Sequence, residues 1–228
     1  RIVMQNHILT TQELFAPGHT RAWAHLSGYE YPWEILAEIK DIIREVGATL
    51  PPDEYDHPAE DIWIARSARI APTAYIGAPA IIGADTEVRH GAFIRGAALV
   101  GDGCVVGNSV ELKNCILFDG VQVPHYNYVG DSVLGYKAHM GAGAVTSNVK
   151  SDRTLVSVRA GDEVLETRLK KMGAILGDRV EVGCNSVLNP GTVIGADSNI
   201  YPLSSVRGTV PPRCILKSGK GTEIVEKQ

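Results

Sequence analysis

The chain has 228 residues, a formal net charge of −4 and a composition that is 44% hydrophobic but only 6% aromatic, so its core is built mainly from aliphatic side chains. An acidic balance and a pI near 6.0 exclude a nucleic-acid binder that works through a strongly basic surface. There are 24 glycines and no low-complexity run to account for them, which implies a periodic pattern that places them.

Residues 1–31 are mixed; Thr10 to Glu13 carries the chemistry of a helix start, cut short by Pro17 and Gly18. Over 32–46 the spacing predicts one amphipathic helix, with Pro32 in its first turn, an apolar stripe of Ile35, Leu36, Ile39, Ile42, Ile43 and Val46, and Gly47 as its stop. Residues 48–60, rich in Pro, Asp and Glu, read as a linker.

From Ile62 the period changes to six. Ile64, Ile70, Ile76, Ile82, Val88, Ile94, Val100, Val106 and Leu112 follow one another without a slip, and Leu176, Val182, Leu188, Ile194, Ile200 and Val206 resume the series. Two residues before most of these stands a small residue, such as Ala68, Ala80, Thr86, Cys104, Ser186 or Ser204. A strict six-residue period fits neither a helix nor an alternating strand. It is the mark of a parallel β-helix, in which three units make one triangular coil and coils stack at roughly 4.8 Å per layer. The end coils of such a solenoid expose strand edges; the N-terminal helix and the Pro211-Pro212 region are the candidate caps. Between Leu112 and Leu176 the register slips, and residues 149–171 leave the repeat as a β-hairpin excursion around Ala160 to Glu163. The resulting division is 1–60, a helical segment and linker; 61–210, the β-helix with its insertion; and 211–228, a cap or tail.

The segments GNSVELKNCIL, PHYNYVGDSVLG and GAGAVTSN, within residues 107–148, resemble the acetyltransferase domain of bifunctional sugar-1-phosphate nucleotidylyltransferase/acetyltransferases. The excursion followed by RLKKMGAILGD, residues 168–178, is most similar to archaeal-type members. The resemblance spans about residues 62–210. It implies an all-β solenoid, a left-handed parallel β-helix, in a homotrimer with sites between subunits. It also implies acetyl-CoA as co-substrate, an amino-sugar phosphate as acceptor, and a place in UDP-N-acetylglucosamine precursor synthesis. No glycine-rich nucleotide-binding start is seen before the coils, so the nucleotidylyltransferase half of the family's enzyme is expected to be missing.

By the same resemblance His125 matches the general base, a role that suits a neutral imidazole near pH 7, and Asn148 matches a residue near the acetyl group. Arg95 and Lys113 match cations that hold the sugar phosphate; eighteen residues apart, they are expected to stack on one face. Tyr128 and Lys171 fall at sugar- or phosphate-binding positions, and Lys170 is an alternative to Lys171. Ala142, Cys184 and Pro202 fall along the coenzyme arm. His139 stands where the family usually has asparagine, and Cys184 where serine is common; both departures bear on the substrate.

Three further readings compete. The same base could serve an O-acyltransferase, or the chain could be a non-catalytic sugar-phosphate- and CoA-binding partner or regulator. A zinc enzyme on the same scaffold needs three converging histidines, and the seven here lack the two-histidine spacing that such an enzyme shows, so no metal is expected. Four scattered cysteines without a paired motif, and no signal peptide or membrane-length apolar run, lead to the expectation of a cytoplasmic protein with reduced thiols.

Overall fold

A computed structural model describes residues 6–218 and 222–227. The six-residue period becomes a triangular prism of parallel strands. One face is a nine-stranded sheet; the other two belong to a thirteen-stranded sheet that bends around a corner. Strands Phe93–Val100, Glu111–Leu117 and Tyr128–Leu134 run unbroken through that corner. The nine-stranded sheet is taken here as the first face. Strands carrying Ile94, Leu112, Val129 and Leu188 make the second, and those carrying Ile82, Val100, Leu117, Leu134 and Ile194 the third. These aliphatics point inward and are fully buried.

The small inward residues do more than leave room. Thr86, Ser186, Ser198 and Ser204 are buried, and each hydroxyl donates to a backbone carbonyl, for example Thr86 Oγ1 to Gly101 O at 2.7 Å and Ser198 Oγ to Pro211 O at 2.7 Å. A buried hydroxyl without a partner would be destabilising by about 1–3 kcal/mol.

The register slip has a defined form. Leu112 to Leu117 and Val129 to Leu134 are both five-residue steps, and Val129 pairs with Leu112 and Leu134 with Leu117. The middle coil therefore advances by 17 residues instead of 18, and the missing residue falls at the corner between the second and third faces. Asn114 and Asp131 turn that corner in the left-handed conformation, at φ 51° and 49°, which Asn and Asp tolerate better than other side-chain-bearing residues.

The third face differs from the others in being buried on both sides. Ile81, Leu99, Ile116, Val133, Ile175 and Val193, each one residue before an inward aliphatic, are at most 1% exposed. Lower coils of this face are covered by the N-terminal segment, and upper coils by the hairpin Val156–Ala160/Glu163–Leu169. On the hairpin, alternation buries Val156, Val158 and Ala160 against the coils.

Three expectations are corrected. The helix expected over 32–46 is divided into a 3-10 helix at Pro32–Ala37 and an α-helix at Ile39–Gly47, with Glu38 (φ −115°, ψ 0°) at the junction. The α-helix lies along the third face rather than over an end, so it is not a cap. Gly47 serves by absence of a side chain: a Cβ there would run into the Trp63 ring. The ends are closed by antiparallel strands, Tyr55–Ala59 against Ile62–Ala65 at the bottom and Thr222–Glu226 against Cys214–Ser218 at the top. The stretch read as a linker thus contains an edge strand, and Pro58 within it suits an edge.

Candidate functional site

The corner between the first and second faces is a vertical column. Tyr126 N–H donates to Asn108 O at 2.9 Å, Gly143 to His125 O at 3.0 Å, Asn185 to Ala142 O at 2.9 Å, and Leu203 to Cys184 O at 2.9 Å. Asn108, His125, Ala142, Cys184 and Pro202 therefore occupy successive layers, and four residues picked from the sequence fall on one line. The turn at His125 is held by Asn127. This buried amide accepts His125 N–H at 3.1 Å and donates to the carbonyls of Gly141 and Ala144, both at 2.9 Å. The His125 ring is exposed and has no hydrogen-bond or ion-pair partner among the described residues. Cys184 is exposed, whereas Cys104, Cys115 and Cys214 are buried.

The corner between the second and third faces gathers a different set. Arg95, Lys113, Asn114 and Lys40 line a cavity of about 480 Å³ together with Leu36. Arg95 and Lys113 do not stand opposite each other as repeat arithmetic suggests: Lys113 pairs with Gly96, and Arg95 is the extra residue of a bulge after Ile94. They nevertheless reach the same cavity.

The centre of this corner is Asp131, 3% exposed. Lys113 Nζ donates to both its carboxylate oxygens at 3.0 Å, Asn114 Nδ2 to Oδ1 at 2.9 Å, and Asn148 Nδ2 to Oδ2 at 2.6 Å. Asn114 Nδ2 also donates to Leu36 O at 3.0 Å, which ties the N-terminal segment to the cluster. Asn148 Nδ2 lies 3.3 Å from Tyr128 OH. Tyr128 folds its ring over Gly130. Burial first, then the Asp131 and Glu111 carboxylates, push its hydroxyl above the ordinary tyrosine value, against the opposing pull of Asn148 and Arg95. Lys113 is thus neutralised by a buried carboxylate, which leaves Arg95 and Lys40 as the cations of the cavity without an ion pair among the described residues.

The sequence reading omits Asp131 and Lys40. Lys40 carries no signal in a lone sequence. Asp131 does: Asn114, Asp131 and Asn148 recur at intervals of 17, the shortened coil length, and so stack at one corner.

Lys171 is exposed at the point where the excursion rejoins the coil, next to Met172, whose N–H donates to Asn148 O at 3.0 Å. His139 is not part of either corner set. It lies on the first face with its Nδ1 2.7 Å from Glu181 Oε2, beside Gln122, Lys137 and Arg179. Within a single chain, His125 and Asn148 stand at opposite edges of the second face, so the two residues read as catalytic are not brought together. Among the described residues, no cluster of three His, Cys, Asp or Glu side chains is placed to hold a metal ion, and no helix is long and apolar enough to cross a membrane.

A family model described as the GMPPB C-terminal domain matches residues 86–195. The bifunctional sugar-1-phosphate nucleotidylyltransferase/acetyltransferase of Sulfurisphaera tokodaii is 36% identical over 102 residues, covering 45% of this chain and 25% of that protein. The bifunctional protein GlmU of Methanococcus maripaludis is 37% identical over 93 residues, covering 41% and 22%. The matches thus span about a quarter of the length of these relatives. Among solved structures, a Francisella novicida UDP-N-acetylglucosamine acyltransferase overlaps 73% of this chain and 67% of that one, at 14% identity and a TM-score of 0.46. The chain is a hexapeptide-repeat β-solenoid. Its homologues are the C-terminal acetyltransferase part of the bifunctional sugar-1-phosphate enzymes.

Proposed function

We propose that this chain is an acetyl-CoA-dependent N-acetyltransferase acting on an amino-sugar phosphate of the glucosamine-1-phosphate or galactosamine-1-phosphate type, and that it works as a homotrimer. The observation that carries the reading is the single column of His125, Ala142, Cys184 and Pro202. A base stands at its foot, and an open edge above it can receive the extended arm of a thioester.

In this reaction the sugar ammonium gives up one proton to water, and the neutral amine attacks the thioester carbonyl. As the C–N bond forms, His125 takes the second amine proton. The tetrahedral oxyanion collapses, the C–S bond breaks, and the thiolate leaves with the proton from the imidazolium. Both Asn148 amide hydrogens are directed at Asp131 and Tyr128, so backbone N–H groups near residue 148 are better placed than its side chain to stabilise the oxyanion. Arg95 and Lys40 bind the sugar phosphate, with Lys113 and Lys171 at its margin, and Tyr128 lies against the sugar. His139 borders the acceptor from the first face.

The separation of the two corners supports assembly from several copies. A small acceptor cannot touch both edges of one face, whereas the second corner of a neighbouring copy can be set against the first corner of this one. Tyr126, Tyr75 and Leu203, at 62%, 61% and 76% exposure, supply apolar surface there, and a triangular prism packs in closed cyclic symmetry.

The test is thiol release from acetyl-CoA with a panel of amino-sugar phosphates, alongside a light-scattering mass. Turnover that falls about 100-fold or more in His125→Ala, as loss of a general base predicts, supports the reading. Unchanged turnover removes His125 as the base. A chain that neither turns over nor binds acetyl-CoA refutes the transferase.

A further inference from the structure

The excursion and the upper coils enclose a second cavity, of about 380 Å³, at the same corner as the Asp131 cluster and above it. Alternation along Val156–Ala160 explains part of its lining. With Val156, Val158 and Ala160 turned to the coils, Ser157 and Arg159 must turn the other way, and both face the cavity. The coils contribute Ser147, Asn189 and Arg207, and the departing chain contributes Lys150 and Ser151.

The hairpin is seated, not loosely draped. Thr209 Oγ1 donates to Arg159 O at 2.6 Å. At Gly191 (φ 82°) a Cβ would strike Ser157 O, and Gly208 (φ 76°) sits beneath Arg159 O. The Gly191 corner admits the hairpin backbone only because it lacks a side chain, and both corners take a left-handed conformation that favours glycine.

The electrostatics of the cavity run against those of the molecule. In a chain of net charge −4, no carboxylate lines it, while three cations do. Lys150 is engaged, with Nζ 2.6 Å from Thr154 Oγ1 and 3.7 Å from Asp152. Arg159 and Arg207 have no ion pair among the described residues, even though Glu166 lies across the hairpin from Ser157. Two unpaired guanidinium forks with serine hydroxyls form a donor set matched to phosphoryl oxygens, while the Asn189 amide is spent on Val206 O at 2.8 Å and Ser205 Oγ at 3.1 Å and holds the corner. Ser147, Asn189 and Arg207 rise through successive layers, so the Arg207 level stands about 10 Å above Asn148 at the layer spacing of a sheet.

We infer that this cavity is a phosphoryl-binding site, separate from the Arg95 cavity and created by the hairpin insertion. Its ligand is the phosphoryl group of a substrate lying along the corner. Two sources share that chemistry, the phosphates of coenzyme A and those of a phosphorylated or nucleotide-linked acceptor. Assignment to either source rests on the proposed acetyl transfer; phosphoryl binding itself does not.

The experiment titrates the full chain with inorganic pyrophosphate by calorimetry. The wild type should bind it with an affinity that weakens as salt rises. Arg159→Gln/Arg207→Gln should weaken binding roughly tenfold or more, as expected for losing charge-assisted hydrogen bonds. Arg66→Gln, a surface substitution elsewhere, should leave it unchanged, and an unshifted melting temperature verifies that the double variant is folded. No pyrophosphate binding by the wild type, or equal binding by the double variant, overturns the site.

Coenzyme A and glucosamine-1-phosphate are then titrated separately. Loss confined to coenzyme A assigns the site to the coenzyme, and loss confined to the sugar phosphate assigns it to the acceptor. Loss for neither overturns its role in substrate binding. His125→Ala must retain pyrophosphate binding. Pyrophosphate bound at this cavity without acetyl transfer by the wild type therefore defeats the proposed function alone, and acetyl transfer without such binding defeats this inference alone.

Discussion

Aspartates mark two corners of the prism, and they are used differently. At the corner between the third and first faces, Asp102 accepts Ala84 N–H at 2.7 Å, Asp119 accepts Asp102 N–H at 2.7 Å, and Asp178 accepts Tyr136 N–H at 2.9 Å. There each carboxylate pins the turn of an adjacent layer. Asp178 also accepts Ala16 N–H at 2.8 Å, and Arg21 forks onto Asp102 at 2.7 and 3.2 Å, so the same corner anchors the N-terminal segment. At the opposite edge of the third face, Asp131 accepts from the side chains of Lys113, Asn114 and Asn148. A carboxylate bonded mainly to backbone fixes the fold. One that gathers three side chains beside a cavity fixes the orientation of those side chains.

The largest test of that contrast is Asp131→Ala. It leaves a partly buried ammonium without its partner and takes one of two acceptors from each of the Asn114 and Asn148 amides, and breaking a buried pair from one side destabilises by about 3 kcal/mol or more. Denaturant unfolding should show that loss, and Asp131→Leu/Lys113→Met should recover much of it, because the pair is then removed as a unit. A loss below about 1 kcal/mol would class Asp131 with exposed ion pairs and dissolve the contrast.

Asp178→Asn should have a smaller effect, about 1–2 kcal/mol, since the amide keeps one acceptor for two backbone donors. Its pH dependence is more telling. Burial, first among the causes, raises the Asp119 and Asp178 carboxyls above their ordinary value of 3.8. A carboxyl raised in the folded state contributes stability that is complete below its unfolded value and lost as pH rises through its folded value. The wild type should therefore gain from these two groups on acidification from neutral pH toward about 4. Asp178→Asn should flatten part of that gain, as measured by unfolding across this range. An unchanged pH profile would show that the corner is hydrated in solution.

The same contrast explains what could be read in the sequence. The six-residue period is a direct consequence of one inward side chain per face, so the prism was legible residue by residue from Ile64 onward. Burial of the third face was also written there, in the paired aliphatics Ile81-Ile82, Leu99-Val100, Ile116-Leu117, Val133-Leu134, Ile175-Leu176 and Val193-Ile194, since a strand apolar on both sides is covered on both sides. Its cover was not legible, because the strap is held by long-range bonds such as Ala16 to Asp178 that leave no local period. The first corner emerged because His125 and Ala142 lie in the motif that carries the resemblance, and Cys184 and Pro202 continue the same corner through the coils that follow it. Asp131 lies within that motif too, yet its function depends on three partners that become neighbours only through a 17-residue coil.

The smallest effect separates the first corner from the second without disturbing either. Burial pushes the Cys104 and Cys115 thiols up to about 12, and Cys214 is buried and also raised by burial. Since the thiolate is the reactive form, an aromatic disulfide reagent at mild alkaline pH should modify one thiol in the native chain, Cys184, and all four after unfolding. Acetyl-CoA lying along the His125 column should slow that modification, whereas glucosamine-1-phosphate, held at the Arg95 corner, should protect less. Equal protection by both ligands would mean that the two corners of neighbouring copies close over Cys184 together. No protection by acetyl-CoA would place the coenzyme off this column and remove the observation on which the proposed function stands.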